Sequence, residues 1–151
     1  MILELISAAI GTMAFSLLFG VPKKYYIYCG GIGAAGWLVY KLMLDTAGLS
    51  VPIAVFFATV VIMLLSRFAA VFEKCPAIVF MIAGIFPVVP GAQIYWATYY
   101  LVTDQLYEAF HSGFLAIKIM ISIVLGIVVV FEIPYKFFKI RYILIRKFKF
   151  F

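Results

Sequence analysis

The sequence predicts an all-α integral membrane protein with five transmembrane helices, of which the fourth is broken. Hydrophobic residues make up 68% of the 151 residues and charged residues 12%, against about 25% charged in an average soluble chain. Five segments each contain close to the roughly 20 apolar residues that a bilayer-spanning helix needs. Prolines and a glycine interrupt the fourth segment, where a regular helix does not accommodate them. The break is predicted at Pro87-Val88-Val89-Pro90-Gly91.

The five predicted spans are separated by short polar or proline-containing connections. The first span ends at Pro22 and two lysines, and the third opens with Pro52, a residue tolerated in the first helical turn. The spans cover approximately residues 3–21, 26–44, 52–72, 76–103 and 114–133. Together they form a predicted transmembrane helical domain over residues 1–134, and residues 135–151 form a predicted basic and aromatic cytoplasmic tail.

The positive charges decide the predicted orientation. With five spans, all but two of the 12 basic residues fall on one side of the membrane. The two exceptions, Lys41 and Lys118, lie within spans near the other side and can snorkel. Because cytoplasmic loops carry the excess of lysine and arginine, the N-terminus is predicted outside and the C-terminus in the cytoplasm. The basic residues on the predicted inner side are Lys23, Lys24, Arg67, Lys74, Lys136, Lys139, Arg141, Arg146, Lys147 and Lys149.

Arg67 lies inside the third predicted span, roughly 7 Å from its end at helical rise. Because an arginine in hydrocarbon is costly, we expect its long stem to carry the guanidinium to the lipid headgroups. A role in a transport path is the alternative interpretation.

The predicted tail combines lysines, arginines and aromatic residues and contains no acidic residue. Four of its cations fall within about 100° on a helical wheel, which favours a segment lying on the anionic lipids of the inner leaflet. A tail that only fixes the topology is the alternative. The placement of the charges fits membrane topology and argues against nucleic acid as a partner.

The second span contains a run of small residues between Cys29 and Trp37. Residues 31–36 of this run match the GxGxxG dinucleotide fingerprint, but the strand and the βαβ unit that this motif requires are not predicted here. Small residues on one face of a membrane helix allow a neighbouring backbone to approach closely. We therefore predict that Gly30, Gly33 and Gly36 form a helix-packing face.

The chain shows no arrangement of residues that predicts catalysis. His111 is the only histidine and lies in a predicted outer loop, and two cysteines are too few for a disulfide framework. No P-loop, nucleophile elbow or metal-ligand spacing is present in the sequence. The sequence therefore predicts no enzyme, no cofactor and no metal. Any transport must then draw its energy from an ion gradient or from a partner.

The predicted break in the fourth span is the candidate for a transport site. Broken helices persist in lipid only where protein or a wet cavity covers the freed backbone groups, and such breaks mark substrate sites in transporters. A half-helix beginning near Gly91 would present free N–H groups and a positive dipole end, which suit a carboxylate. Gln93 and Tyr95 follow and can add hydrogen bonds. The alternative is a proline kink that merely bends a packed helix, with Pro87 and Pro90 as its cause.

Three motifs in this order carry a family resemblance: Phe19-Gly20-Val21-Pro22-Lys23-Lys24, then Cys29-Gly30-Gly31-Ile32-Gly33-Ala34-Ala35-Gly36-Trp37, then Pro87-Val88-Val89-Pro90-Gly91 with Tyr95. In a chain of five predicted spans they resemble the small membrane subunit of bacterial threonine/serine exporters of the split, two-component type. The resemblance covers most of the chain, and the Pro-x-x-Pro-Gly element is its most distinctive part.

The resemblance implies a multi-pass subunit of a secondary transporter in the bacterial inner membrane. It implies a larger membrane subunit of the same family as partner, export of threonine and serine driven by the proton motive force, and leaves a higher oligomer open. Some split pairs of the family are linked instead to dicarboxylate export, with succinate as the example. A structural scaffold without its own substrate contacts is a further alternative. For the proton carrier, Glu132 is the nearest candidate within a span, and interfacial capping explains it equally well.

Overall fold

The structure, a computed structural model, describes residues 1–134 and shows helices joined by short turns. No strand occurs among these residues, so the predicted all-α class is confirmed. The predicted tail over residues 135–151 lies outside the described part. The helices are α1 (Ile2–Leu18), α2 (Tyr26–Asp45), α3 (Val51–Glu73), α4 (Ile78–Ile85), α5 (Gly91–Val102) and α6 (Leu106–Phe131), with 3₁₀ turns at Lys23–Tyr25 and Phe86–Val88.

Three helical segments are long and apolar enough to cross a membrane on their own: Lys23–Asp45, Val51–Glu73 and Leu106–Phe131. A fourth candidate consists of Ile78–Val88 and Gly91–Val102, which meet at a bend of 51°. The break therefore lies at the predicted prolines. The first predicted span is apolar but forms a helix of only 17 residues. By length and composition the described residues show three or four crossings, whereas the sequence predicted five.

One predicted boundary is wrong. The fifth span was expected to begin near residue 114, with His111 and Glu108 in an outer loop, but α6 already begins at Leu106. Glu108 stands in its first turn, where a carboxylate is stabilised by the positive end of the helix dipole. His111 is an exposed residue of the same helix. A span read from apolar composition alone misses such a polar helical extension.

Helix α2 is central, because α1 and α3 both pack closely against its glycine face. A Cβ on Gly30 would lie 2.9 Å from Met13 Cγ of α1, and one on Gly33 would overlap Thr12. A Cβ on Gly36 would overlap the side chain of Ile62 in α3. The three glycines are buried and serve two different neighbours, with Gly30 and Gly33 facing α1 and Gly36 facing α3.

The contacts show the relative directions of the helices. Lys41, near the end of α2, pairs with Glu4 at the start of α1, with 3.4 Å between Nζ and Oε1, so α1 and α2 are antiparallel. Residues further along α3 contact residues further along α6. Thr59 packs on Gly126 and Arg67 reaches Val130 and Ile133, so these two helices are parallel.

Helix α4 fills the groove between α2 and α3. Gly84 lies against Ile32 of α2 and Ile62 of α3, where a Cβ would approach their methyl groups to 2.9 and 3.1 Å. Phe80, which is fully buried, contacts the ring of Tyr25 with centroids 5.2 Å apart. This packing fixes the direction of α4 and brings its C-terminal end, where the prolines follow, beside the last third of α2.

The expectation that Arg67 snorkels to the headgroups is wrong. Its residue surface is only 8% exposed, and Nη1 donates to the carbonyl oxygens of Val130 at 2.6 Å and Ile133 at 2.7 Å. The guanidinium also lies over the ring of Phe131. The last carbonyls of a helix have no intrahelical donor and carry its negative dipole end. Arg67 therefore caps α6 from α3.

The glycine face gives a test with a matched control. We expect Gly33→Ala to lower the free energy of unfolding in detergent by about 1–3 kcal/mol, because the new methyl group overlaps Thr12. Gly31→Ala, on the exposed face two residues earlier, meets no atom within 4 Å and should gain up to about 1 kcal/mol of helix propensity. Thermal unfolding monitored by circular dichroism compares the two. Equal stability of both variants would contradict the packing role of Gly33.

Candidate functional site

The backbone at the break leaves donors free at the start of α5. The 3₁₀ turn Phe86–Val88 ends the first half, and Pro90 is the N-cap of α5 without a side-chain cap. Gly91 N–H donates to the Val89 carbonyl at 2.8 Å, and the next bond to the preceding backbone runs from Ile94 to Pro90. Within residues 1–134, no backbone acceptor faces the N–H groups of Ala92 and Gln93. The positive end of the α5 dipole is therefore open for an acceptor.

A cavity of about 260 Å³ lies at this break. The cavity is walled by the backbone at the helix break, by α2, by the first two turns of α3 and by the middle of α6. Tyr40 and Gln93 are the residues with polar side chains that line it beside the Trp37 ring and the local backbone. The cavity is lined by Trp37, Tyr40, Val51, Val55, Pro87, Val88, Val89, Pro90, Ala92, Gln93 and Ile119.

The structure brings three of the five predicted site residues to this cavity. Pro87 and Gln93 line it half-buried, and Pro90 lines it as a buried residue. Gly91 starts α5 on the exposed side and is not part of the wall. Tyr95 is 62% exposed and contacts other aromatic rings of α5, including Trp96 with centroids 5.3 Å apart. Tyr95 therefore lies outside the cavity.

The break lies between the middle of the bundle and one of its ends. Gly84 is level with Ile32 and Ile62, in the middle parts of α2 and α3. The cavity beyond it is walled by Val51 and Val55, in the first two turns of α3. Its level is therefore between the centre of the bundle and the connection from α2 to α3.

A second hollow of about 330 Å³ lies between α5 and α6 and has a different character. It is bordered by Ala97, Thr98, Leu101, Ala109, Phe110, Gly113, Phe114 and Ile117. Its single polar side chain, Thr98, already donates to the Ile94 carbonyl at 3.0 Å. This apolar hollow has no free donor to recognise a carboxylate, so the cavity at the break is the better candidate.

Comparison with known proteins identifies the family. Residues 4–133 match the family described as "Threonine/Serine exporter, ThrE". The chain belongs to this exporter family. The resemblance to this family predicted from the three motifs is thereby confirmed, and the family is one of exporters rather than of enzymes.

One curated relative of this exporter-family chain is an uncharacterized protein of Haemophilus influenzae. The two are 32% identical over 133 residues, which cover 83% of this chain and 43% of the relative. The chain thus spans less than half of that relative's length. No solved structure matches the chain.

Two residues that line the cavity at the break were missed by the sequence reasoning. Trp37 and Tyr40 lie three residues apart on α2, with ring centroids 5.1 Å apart, and both face the break. The signal was present, since they follow directly on the glycine run, and residues three apart share a helix face. The sequence could not show which helix packs against this face of α2. Only the packing of α4 against α2 shows that this face meets the prolines.

Glu132, the predicted candidate for a proton carrier, lies far from the cavity. It is the exposed C-cap residue of α6, beside the carbonyl groups that Arg67 binds. The cavity borders Ile119, in the middle of the same helix. Thirteen residues separate the two positions, which is roughly 20 Å at helical rise. Glu132 cannot contact a solute in the cavity.

Proposed function

We propose that this chain is a subunit of a secondary transporter that exports small amino acids, threonine or serine, across the bacterial inner membrane. It works together with a larger membrane subunit of the same family. The observation that carries the proposal is the cavity at the helix break, in a chain that belongs to the exporter family. The exposed α5 helix, which has no buried residue, offers surface to the larger subunit.

The cavity suits the two ends of an amino acid. The free N–H groups of Ala92 and Gln93 and the dipole of α5 favour a carboxylate, and the Gln93 side chain adds an amide. The backbone carbonyl groups of Pro87 and Val88, two residues of the cavity wall to which no backbone donor among residues 1–134 binds, can accept from an ammonium group. Gly91, which has no side chain, leaves the N-terminal end of α5 accessible to the substrate. Tyr95 lies one helical turn further along α5, where it contacts the substrate as the substrate enters or leaves the cavity.

The lining favours an amino acid over the dicarboxylate alternative. None of the residues around the cavity carries a lysine, arginine or carboxylate charge. A buried charge is costly unless it is paired. A zwitterion such as threonine has no net charge, whereas succinate would bring two negative charges to one helix end. The neutral lining therefore supports threonine or serine as the proposed substrate rather than succinate.

The helix directions support a proposed topology of five crossings. Helices α1, α2 and α3 alternate, and α6 is parallel to α3, so the broken pair α4 and α5 returns the chain between them. Helix α1 has 17 residues, or roughly 26 Å at helical rise, close to the about 30 Å of the hydrocarbon core. With the basic residues on the inner side, the N-terminus lies outside and the C-terminus in the cytoplasm.

The orientation can be measured with single cysteines. In a Cys29→Ser background, native Cys75 in the α3–α4 connection should resist an impermeant maleimide in intact cells and react after the membrane is opened. In the Cys29→Ser/Cys75→Ser/Ser50→Cys variant, the exposed position before α3 should react in intact cells. The reverse pattern, or labelling of both positions from one side, would contradict the five-span topology.

The function is tested by straightening the break. We expect Pro87→Ala/Pro90→Ala to reduce threonine efflux to the level of cells that lack the gene, because α4 and α5 can then join and close the cavity. Efflux is measured in deletion cells complemented with each variant, and immunoblotting of membranes verifies insertion. Pro76→Ala, at an exposed proline outside the break, is the control. Unchanged efflux in the double variant would contradict the site.

A scaffold without substrate contacts is the second candidate, favoured by the exposure of Gly91 and Tyr95. Gln93→Ala separates the two. If the cavity binds substrate, the apparent affinity for threonine should fall about tenfold or more, the usual effect of losing a hydrogen bond to a charged group. If the chain is a scaffold, co-purification of the larger subunit changes and affinity does not. Gln105→Ala, whose amide contacts only Thr103 in a turn, is the control.

A further inference from the structure

Helix α6 extends beyond the start of α3 by almost half of its length. Gly126 of α6 packs on Thr59 of α3, and the two helices are parallel. Lys118 and Val51 each lie eight residues before one member of this pair, and Val51 is the first residue of α3. Lys118 is therefore level with the start of α3. The twelve residues of α6 before it reach roughly 18 Å further at helical rise.

This first part of α6 pairs with α5, and the two form a hairpin with an apolar surface. A Cβ on Gly113 of α6 would lie 3.8 Å from the Cβ of Ala97 in α5. Helix α5 has no buried residue. The large apolar side chains that the hairpin exposes are Ile94, Tyr95, Trp96, Tyr99, Leu101, Val102, Leu106, Tyr107, Phe110, Phe114 and Ile117.

Lys118 lies on an exposed face of α6 without a carboxylate beside it. Its ammonium group lies over the Phe114 ring of its own helix, with 5.1 Å between Nζ and the ring centroid. The ion pairs within residues 1–134 all lie at Glu4 and Lys41, so none of them includes Lys118. Exposed apolar residues share this face at spacings of three, four or seven residues. We define the Lys118 face as Tyr107, Phe114, Lys118, Ile121, Leu125 and Val128.

Neither water nor lipid alone suits the hairpin together with the Lys118 face. The hydrocarbon layer is about 30 Å thick, and the 23 residues of α3 are roughly 34 Å long. If α1, α2 and α3 fill the layer, the hairpin stands in water with its large apolar side chains uncovered, which is typical of a protein contact. If the layer also covers the hairpin, Lys118 lies in hydrocarbon without a carboxylate from residues 1–134, which is costly. A helix of another protein removes both costs.

We propose that the Lys118 face docks a transmembrane helix of the larger subunit, and that this helix presents a carboxylate to the Lys118 ammonium group. The proposal rests on the proposed function and adds the contact through which the two subunits join. Charge complementarity selects this occupant, because an apolar helix with one acidic residue covers Phe114 and Ile121 and also neutralises the lysine. Lipid tails offer no acceptor. A second copy in a two-fold pair would bring a second Lys118 to the same face, where the two cations repel each other.

The docking face and the cavity at the break lie at the same level of α6. Ile119, which follows Lys118 directly, is buried and borders the cavity. Consecutive residues point about 100° apart around a helix, so α6 carries the cavity on one side and the Lys118 face on another. A helix docked on the Lys118 face therefore packs against the same turn of α6 that forms part of the cavity wall.

Photo-crosslinking locates the docked helix. The crosslinking residue p-benzoylphenylalanine replaces Ile121 on the Lys118 face or, as control, Ile10 of α1, and these positions are 53% and 59% exposed. Each full-length variant is expressed together with the larger subunit, and adducts are identified by mass spectrometry. We expect an adduct with the larger subunit from position 121 and none from position 10. No protein adduct from position 121, an adduct with a second copy of the chain, or equal adducts from both positions would overturn the proposal.

Substitutions of Lys118 test for the carboxylate. We expect Lys118→Met to lower the amount of larger subunit that co-purifies about tenfold or more, and Lys118→Arg, which keeps the charge, to retain it. Immunoblotting of membranes verifies insertion. Without a carboxylate on the partner, Lys118→Met would only remove a costly charge from an apolar surface, so an unchanged complex would overturn the proposal.

A charge exchange identifies the partner's acidic residue. The acidic residues within the spans of the larger subunit are changed to lysine one at a time and combined with membrane-inserted Lys118→Glu. We expect one exchange to restore the complex that Lys118→Glu alone loses. Failure of every exchange would overturn the ion pair.

Threonine efflux separates failure of this inference from failure of the function. In complemented deletion cells we expect export by Lys118→Met to fall with the amount of complex, and Lys118→Arg to export as the parent does. Export that depends on the chain but not on the Lys118 charge would overturn the inference alone. Deletion cells that export threonine normally would overturn the function itself.

Discussion

The close approach of three helix backbones at the glycine face of α2 is the contact on which the rest of the structure depends. In lipid, helices gain little from apolar burial against one another, so association relies on shape and close packing. Gly33 admits Thr12 of α1, and Gly36 admits Ile62 of α3. The same Ile62 then meets Gly84, which seats α4 in the groove between α2 and α3. A side chain at any of these glycines would push apart helices that shape the cavity.

This packing explains why the break can exist. Pro87 and Pro90 remove backbone donors, and their freed carbonyl groups cannot be left facing hydrocarbon. Because α4 is held in the groove, the segment that follows it is covered by α2, the start of α3 and the middle of α6. The cavity wall thus gives the irregular backbone a polar, enclosed surrounding. Helix α5, which leaves the bend at 51°, packs on α6 and keeps its other surface exposed.

The sequence predicted what depends on local composition and missed what depends on neighbours. The helical class, the break and the family follow from apolar runs, prolines and motifs that are read along the chain. Trp37 and Tyr40 could not be assigned, because nothing in the order of residues shows that α4 lies beside α2. Arg67 was misjudged for the same reason. A position five residues from the end of a span predicts snorkelling, and only the parallel packing of α6 brings the carbonyl oxygens of Val130 and Ile133 within 2.7 Å of Nη1. The start of α6 was missed because Glu108 and His111 are polar, and a span was predicted only where apolar residues continue without interruption.

Apart from Lys118, which is exposed on the middle of α6, the charges of the described residues lie towards the two ends of the bundle, and the lining of the cavity between them is neutral. Arg67 caps α6 at one end, near Glu132, and Lys41 joins Glu4 and Asp45 at the other, at 3.4 and 3.7 Å. The hydrogen bonds to two carbonyl groups offset the desolvation of buried Arg67, whereas Lys41, Glu4 and Asp45 are paired and keep part of their surface in contact with solvent. The recognition that we propose for the cavity relies on dipoles: the N–H groups at the start of α5, the amide of Gln93 and the backbone carbonyls of the break. Dipoles arranged in this way can hold a zwitterion by both ends without leaving an unpaired charge behind when it departs. For the proposed export of an amino acid, a neutral lining favours release better than a buried lysine or arginine would.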